Sequence, residues 1–291
     1  MGPVRIALAV AVAAAAVTAC SGPATSGRSD VPASYYLALG DSLSQGVQPD
    51  AAGTSVETGQ GYANQLYAML HRGQPALQLV KLGCPGETTD TMIHGGICHY
   101  RGGSQLAAAV AFLTAHRGHV FLVTIDIGAN DPEDCGWSSL HAIASCVGTD
   151  IPEAASNLDT ILSRLRAAAG PDVRIVGMSY YLPALAQWRN GVPGQVIARG
   201  SEWLASVYND MLDRAYAKSD VRVANVFGAF ETSDFGHPAV VAGIGTVPRN
   251  VARICQWTWE CASPPRGPNQ HANQAGYGVI ARTFLSASGL T

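Results

Sequence analysis

The sequence predicts an α/β fold of three layers, with a five-stranded parallel sheet between two layers of helices. Three observations predict it. Apolar runs and helically spaced segments alternate along the chain, a pattern that places helices on both faces of a parallel sheet. The apolar runs are short and bounded by turn residues, as buried strands are. Several of them stop at turns rich in Gly, Asp, Ser and Asn, among them Gly40-Asp41-Ser42 and Gly128-Ala129-Asn130. Five strands suit the flavodoxin-like order 2-1-3-4-5, in which strands 1 and 3 are neighbours and a crevice opens at their C-terminal ends.

The elements follow in order. Tyr35-Tyr36-Leu37-Ala38-Leu39-Gly40 reads as the first strand, with Gly40 bending the chain so that Asp41 and Ser42 are lifted out at its end. Residues 47–60 are loop-like. Residues 62–71 have helical spacing, with Tyr62, Leu66, Met69 and Leu70 as the apolar stripe. A strand over 77–82 ends in the turn that holds Gly86. A helix over 105–116 leads to an apolar strand over 120–125. Residues 152–168 form the clearest helix, closed by Gly170-Pro171. A strand is expected over 173–178, an irregular stretch over 179–200, a long amphipathic helix over 201–218 and a last strand over 221–226. Residues 228–270 read as a long Gly- and Pro-containing loop, and 274–286 as the closing helix.

Ahead of these elements, residues 1–19 read as a secretory leader, with an apolar stretch from Ile6 to Val17 too short to span a bilayer. Val17-Thr18-Ala19-Cys20 resembles a bacterial lipobox, in which Cys20 becomes the lipid-modified N-terminus; an ordinary secretory signal with an incidental Cys is the alternative. Residues 20–34 are small and polar, as a flexible tether would be, and 35–291 would be the folded domain. The expected location is therefore outside the cell, on the outer face of the cell membrane or secreted. Six further cysteines in an exported chain argue for disulfides. Nearest-neighbour pairing gives Cys84–Cys98, Cys135–Cys146 and Cys255–Cys261, among the 15 connectivities six cysteines allow.

The chain has 291 residues, 47% hydrophobic and 13% charged, ample for a sizeable core. A formal net charge of -3 without a basic run excludes an electrostatic case for nucleic acid. No Cys-x-x-Cys pair or zinc-finger His spacing occurs, so no metal is expected.

Three of the turns face one pocket in the predicted order. Ser42 is the candidate nucleophile; a hydroxyl needs a neighbouring base, and His271, on a loop just before the closing helix, is the candidate. The backbone N–H groups of Ser42 and Gly86 and the side-chain amide of Asn130 would converge on a developing oxyanion. Gly40-Asp41-Ser42-Leu43, Gly86, Gly128-Ala129-Asn130-Asp131, and His271 with Asn273 and Gly276 together resemble the GDSL or SGNH hydrolase superfamily. The resemblance implies a serine ester hydrolase without a cofactor. Ser42 would be nucleophile and first oxyanion donor, Gly86 and Asn130 the other donors, and His271 the base. It also implies substrates among lipid, acyl or acetylated-sugar esters, and the chain is expected to be a monomer.

One position departs from the family pattern. Asp commonly stands three residues before the His, and Pro268 stands there in this chain. The backbone carbonyl of Pro268 is the expected partner of the imidazole, with Glu260 and Asp234 as weaker candidates, and a slower enzyme is expected without a carboxylate. Trp188, Trp257, Trp259, Tyr180 and Tyr181 would lie over the pocket or pack the loops. A catalytically decayed surface binding module and a carbohydrate O-acetyl esterase are the alternative functions.

Overall fold

The computed structural model describes Gly2, residues 34–131 and residues 146–290. β1 (Ser34–Gly40) is followed by α1 (Ser42–Gln45), a small hairpin of β2 (Gln48–Pro49) and β3 (Ser55–Val56), α2 (Tyr62–His71) and β4 (Leu77–Lys81). Next come α3 (Thr89–His94), α4 (Gln105–Ala115), β5 (Val120–Asp126), α5 (Ile151–Ala169) and β6 (Arg174–Met178). A 3-10 segment (Pro183–Asn190) runs into α6 (Gly191–Lys218), then β7 (Arg222–Ala224), α7 (Val226–Ala229), a hairpin of β8 (Pro238–Val241) and β9 (Gly245–Pro248), α8 (Arg249–Trp257) and α9 (Gln274–Ser288).

The sheet order is β4-β1-β5-β6-β7 with every pairing parallel, which among these five strands is the expected 2-1-3-4-5. β1 is covered on both faces, which is why it reads as a continuous apolar run instead of an alternating one; Tyr36, Leu37, Ala38 and Leu39 are all fully buried. The Tyr36 hydroxyl is satisfied inside the core by Thr124 Oγ1 at 2.9 Å. α4, α5 and α6 pack in succession as one layer, and α2 packs against α9 in the other. β1 and β5 lie side by side in register to their last residues, Gly40 opposite Asp126. The turns that leave them therefore start from one place.

Four differences from the sequence reading matter. β1 begins at Ser34, inside the expected tether. α6 begins at Gly191 and absorbs half of the stretch expected to be irregular. Pro193 falls in its first turn, where a missing N–H costs nothing because those donors have no intrahelical partner. The tract 228–270 holds a hairpin and the amphipathic α8 instead of being all loop. Residues 47–60 hold the β2–β3 hairpin. The Cys84–Cys98 and Cys255–Cys261 disulfides are formed. The expected Cys135–Cys146 pair, the leader and the Cys20 modification fall outside the described residues.

Candidate active site

Ser42 is the first residue of α1. Gly40 has φ +125, and a Cβ there would sit 2.0 Å from the Asp126 carbonyl oxygen, so only glycine lets β1 turn this tightly against β5. Asp41 caps α1, its Oδ1 accepting from the Leu43 N–H at 2.9 Å. From beneath, Asp126 Oδ2 accepts the Ser44 N–H at 3.1 Å and the Asp41 N–H at 3.3 Å, and Tyr62 donates its hydroxyl to Asp126 Oδ1. The Ser42 turn is thus fixed by two buried carboxyl groups. Burial pushes Asp41 up to about 6 and Asp126 well above the usual carboxylate range, the proximity of the Asp41 charge adding to the latter shift.

His271 arrives from the far end of the chain. Its loop is strapped to the end of α8: the Trp259 N–H donates to the His271 carbonyl at 3.0 Å, Ala272 bridges Thr258, and the Tyr181 hydroxyl donates to the Gln270 carbonyl at 3.0 Å. Asn273 caps α9, accepting from the Ala275 and Gly276 N–H groups, and donates to the Gln256 carbonyl at 2.9 Å. This clamping places His271 Nε2 3.0 Å from Ser42 Oγ across a separation of 229 residues.

The other ring nitrogen corrects the sequence reading. His271 Nδ1 lies 2.8 Å from Asn269 Oδ1, and neither the Pro268 carbonyl nor Glu260 nor Asp234 bonds to it. Asp234 instead engages His237 and Arg249. The His271 backbone N–H also donates to Asn269 Oδ1, at 3.0 Å, while Asn269 Nδ2 donates to Ser55 Oγ at 3.1 Å. The His271 main-chain N–H can only donate, so the amide oxygen must face it and the ring. Nδ1 then carries the proton, and Nε2 has a free lone pair toward Ser42. Burial pushes the His271 imidazole down to about 4, so it is neutral and able to accept a proton over most of the pH range.

The expected oxyanion donors are brought together in part by visible bonds. Asn130 lines the same cavity as Ser42, and its Nδ2 donates to the Glu87 carbonyl at 2.8 Å, tying it to the turn that holds Gly86. Gly86 has φ +84. The backbone N–H groups of Ser42 and Gly86 donate to no acceptor among the described residues.

Ser42 and His271 open into a cavity of about 780 Å³ lined by Tyr180, Tyr181, Leu182, Ile197, Leu204 and Tyr208 among others. Its aromatic wall is Tyr180, Tyr181 and Tyr208. Trp188 packs instead against Phe235, and Trp257 and Trp259 line a separate cleft of about 1090 Å³ with Arg266 and Arg282. Of the wall residues from α6, Leu204 and Tyr208 lie within the stretch that reads as a helix, and Ile197 lies in the part that reads as irregular. Among the described residues no group of three His, Cys, Asp or Glu could hold a metal ion. No described helix is long and apolar enough to cross a membrane.

A flavodoxin-like sandwich carrying a hydroxyl–imidazole pair at its strand ends defines the class, a three-layer α/β/α hydrolase. Residues 38–279 match the GDSL-like lipase/acylhydrolase family, and the chain belongs to that family; it is a carboxylic ester hydrolase. Solved structures share the fold at low identity. An α/β hydrolase enzyme from the metagenome of Lake Arreo, Spain, is 20% identical, with 88% of this chain and 95% of that chain covered at a TM-score of 0.52. An acetylxylan esterase from Geobacillus stearothermophilus is 14% identical, over 88% and 94% of the two chains, at 0.52. A phospholipase A1 from Streptomyces albidoflavus is 18% identical, over 88% and 100%, at 0.51. No curated protein matches the sequence.

Proposed function

We propose that the protein is an exported serine esterase that hydrolyses esters with acyl chains longer than acetyl, using Ser42 as nucleophile and His271 as base. The observation that carries this reading is the 3.0 Å contact between Ser42 Oγ and His271 Nε2 at the mouth of a largely apolar cavity. Nε2 takes the Ser42 proton as Oγ attacks the ester carbonyl carbon. The resulting oxyanion accepts from the N–H groups of Ser42 and Gly86 and from Asn130 Nδ2. His271 then gives its proton to the departing alcohol oxygen, leaving an acyl group on Ser42. Water, deprotonated by the same nitrogen, attacks the acyl carbon, and His271 returns that proton to Ser42 Oγ as the acyl–Oγ bond breaks and the acid leaves. Asn269 keeps the ring in the working tautomer throughout. A cavity of about 780 Å³ is much larger than an acetyl group fills, which supports the longer acyl chain.

A carbohydrate O-acetyl esterase is the second reading, supported by the cleft with Trp257 and Trp259, whose rings could stack on sugar faces. Hydrolysis of p-nitrophenyl esters from acetate to laurate separates the two. The acyl-ester reading expects a maximum beyond four carbons, and a collapse after acetate would sink it. A fluorophosphonate probe should label the wild type rapidly and Ser42→Ala not at all, with turnover down by at least about 10³-fold in Ser42→Ala and in His271→Ala. Rapid labelling of Ser42→Ala would remove Ser42 as nucleophile; no labelling of folded wild type would leave a binding module.

Export through a leader ending at residue 19, with lipid on Cys20, belongs to the same proposal. The Cys84–Cys98 and Cys255–Cys261 disulfides support an oxidising compartment. Mass spectrometry of the protein from its native host should find Cys20 at the N-terminus with added acyl mass, and an intact Met1 would overturn it.

A further inference from the structure

Gln105, the first residue of α4, is fully buried. Its side-chain amide reaches two separate turns. Oε1 accepts the Gly40 N–H at 2.7 Å, while Nε2 donates to the Gly40 carbonyl at 2.9 Å and to Glu87 Oε2 at 3.0 Å. Gly40 stands two residues before Ser42, and Glu87 follows Gly86. The Glu87 main-chain carbonyl in turn receives the Asn130 amide at 2.8 Å. A single line of hydrogen bonds therefore runs from the nucleophile turn, through Gln105 and Glu87, to the two remaining oxyanion donors.

The cost of this arrangement points the same way. Glu87 is 1% exposed and its Oε1 has no partner among the described residues. A buried carboxylate left half satisfied costs stability, and an apolar side chain would pack there at less expense. A bidentate grip on the N–H and the carbonyl of one residue, Gly40, holds the two peptide units that flank it in position and orientation together, which apolar packing does not.

We propose that Gln105 and Glu87 form a brace that sets the spacing between the Ser42 turn and the Gly86 and Asn130 donors, and that both are positioning residues for the oxyanion. The inference rests on the Ser42–His271 reading of the site. Misplacement by about 1 Å can cost on the order of 10²-fold in rate, so the brace acts on kcat and leaves KM nearly alone.

The test uses isosteric changes in the full chain, with p-nitrophenyl butyrate as substrate. In Gln105→Glu the new carboxylate can still accept the Gly40 N–H, but at pH 7.5 it cannot donate to the Gly40 carbonyl and it faces the Glu87 carboxylate. kcat should fall at least about 10-fold with KM within about 3-fold of wild type. Lowering the pH toward 5 should return activity relative to wild type, because a proton shared between the two carboxyls restores a donor. The other titratable groups next to the pair are Tyr100, whose hydroxyl is pushed up first by burial and then by the Glu87 charge, and Asp41, which follows Gly40. The Tyr100 hydroxyl stays protonated across that window, and Asp41, next to Gly40 and pushed up to about 6, titrates in wild type as well, so the comparison with wild type removes its effect.

The double variant Gln105→Glu/Glu87→Gln reverses the donor: the amide at 87 now donates to the carboxylate at 105. It should recover at least about 3-fold of the kcat lost by Gln105→Glu alone, a non-additive result. Wild-type kcat in folded Gln105→Glu, or a loss that is independent of pH and unrelieved in the double variant, would overturn the brace. Ser42→Ala, run in parallel, tests the underlying reading separately: if it retains turnover, the nucleophile assignment fails, whatever position 105 does.

Discussion

Asn269 gives His271 an orienting partner without a charge. In a Ser-His-Asp triad the acid fixes the tautomer and stabilises the imidazolium; an amide oxygen does only the first. An amide can also present its wrong end, and here the His271 main-chain N–H, which needs an acceptor, forbids that. With burial pushing His271 down to about 4 and no carboxylate bonded to it, the ascending limb of kcat/KM should lie well below the ordinary histidine value of 6.5. Asn269→Asp should move that limb upward by at least about one unit, because an adjacent anion favours the protonated ring, and should raise plateau kcat. Asn269→Ala should lower kcat about 10-fold or more by freeing the ring. A limb unmoved by Asn269→Asp in a pH–rate profile would show that Asn269 does not control the base. That Ser42, Asn130 and His271 meet at one cavity was legible because each sits in a short motif at a strand or helix end. Asn269 was not. Its role depends on a side-chain direction set by a hairpin 214 residues away, and sequence reasoning went instead to the position three before the His.

At the level of elements, β1, β5 and β6 were legible because burial on both faces leaves a nearly unbroken apolar run, and the edge strands β4 and β7 because short aliphatic stretches stand between turn residues. The helices α2, α5 and α9 were legible because each keeps an apolar stripe along one face, and α4 because it is Ala-rich. The start of α6 and all of α8 were not. Pro193 and Gly194 read as breakers, yet they lie in a first turn that tolerates them, and Gly194 packs where a Cβ would meet the Gln187 carbonyl at 1.9 Å. α8 is nine residues long inside a Gly- and Pro-rich tract, too short to stand out by periodicity. These two elements matter because one walls the cavity and the other anchors the His271 loop. Asn273 joins α8 to α9 by capping one and binding the last turn of the other. Asn273→Ala should cost about 1 kcal/mol or more, a fall of roughly 2–4 °C in Tm for a chain of this size, together with a lower kcat as His271 drifts. Asn273→Asp keeps the cap acceptor and loses only the donor to Gln256, so its Tm should fall less. Equal Tm losses in a calorimetric scan would show that the cap is not what holds this junction.

Across the whole molecule, the site places ionisable groups of opposite kind under one roof, and the stability of the fold must register it. Burial lifts Asp41 to about 6 in the folded protein from its ordinary 3.8. Between those values the folded state holds a proton that the unfolded state has released, so this group's contribution is full below pH 4 and is lost as pH rises toward 6. His271 does the reverse: at about 4 folded against 6.5 unfolded, its contribution is full above 6.5 and is lost as pH falls toward 4. The two slopes oppose each other over the same interval. Urea midpoints at pH 4.5, 5.5 and 6.5 should therefore separate two variants in opposite directions. Asp41→Asn, which keeps the cap on α1, should gain stability relative to wild type as pH rises, by on the order of 1–3 kcal/mol across the interval. His271→Gln should gain relative to wild type as pH falls. Parallel curves for wild type and both variants would mean that burial beneath and beside Ser42 does not perturb these groups, and the neutral, proton-accepting state of His271 at mildly acid pH would lose its physical basis.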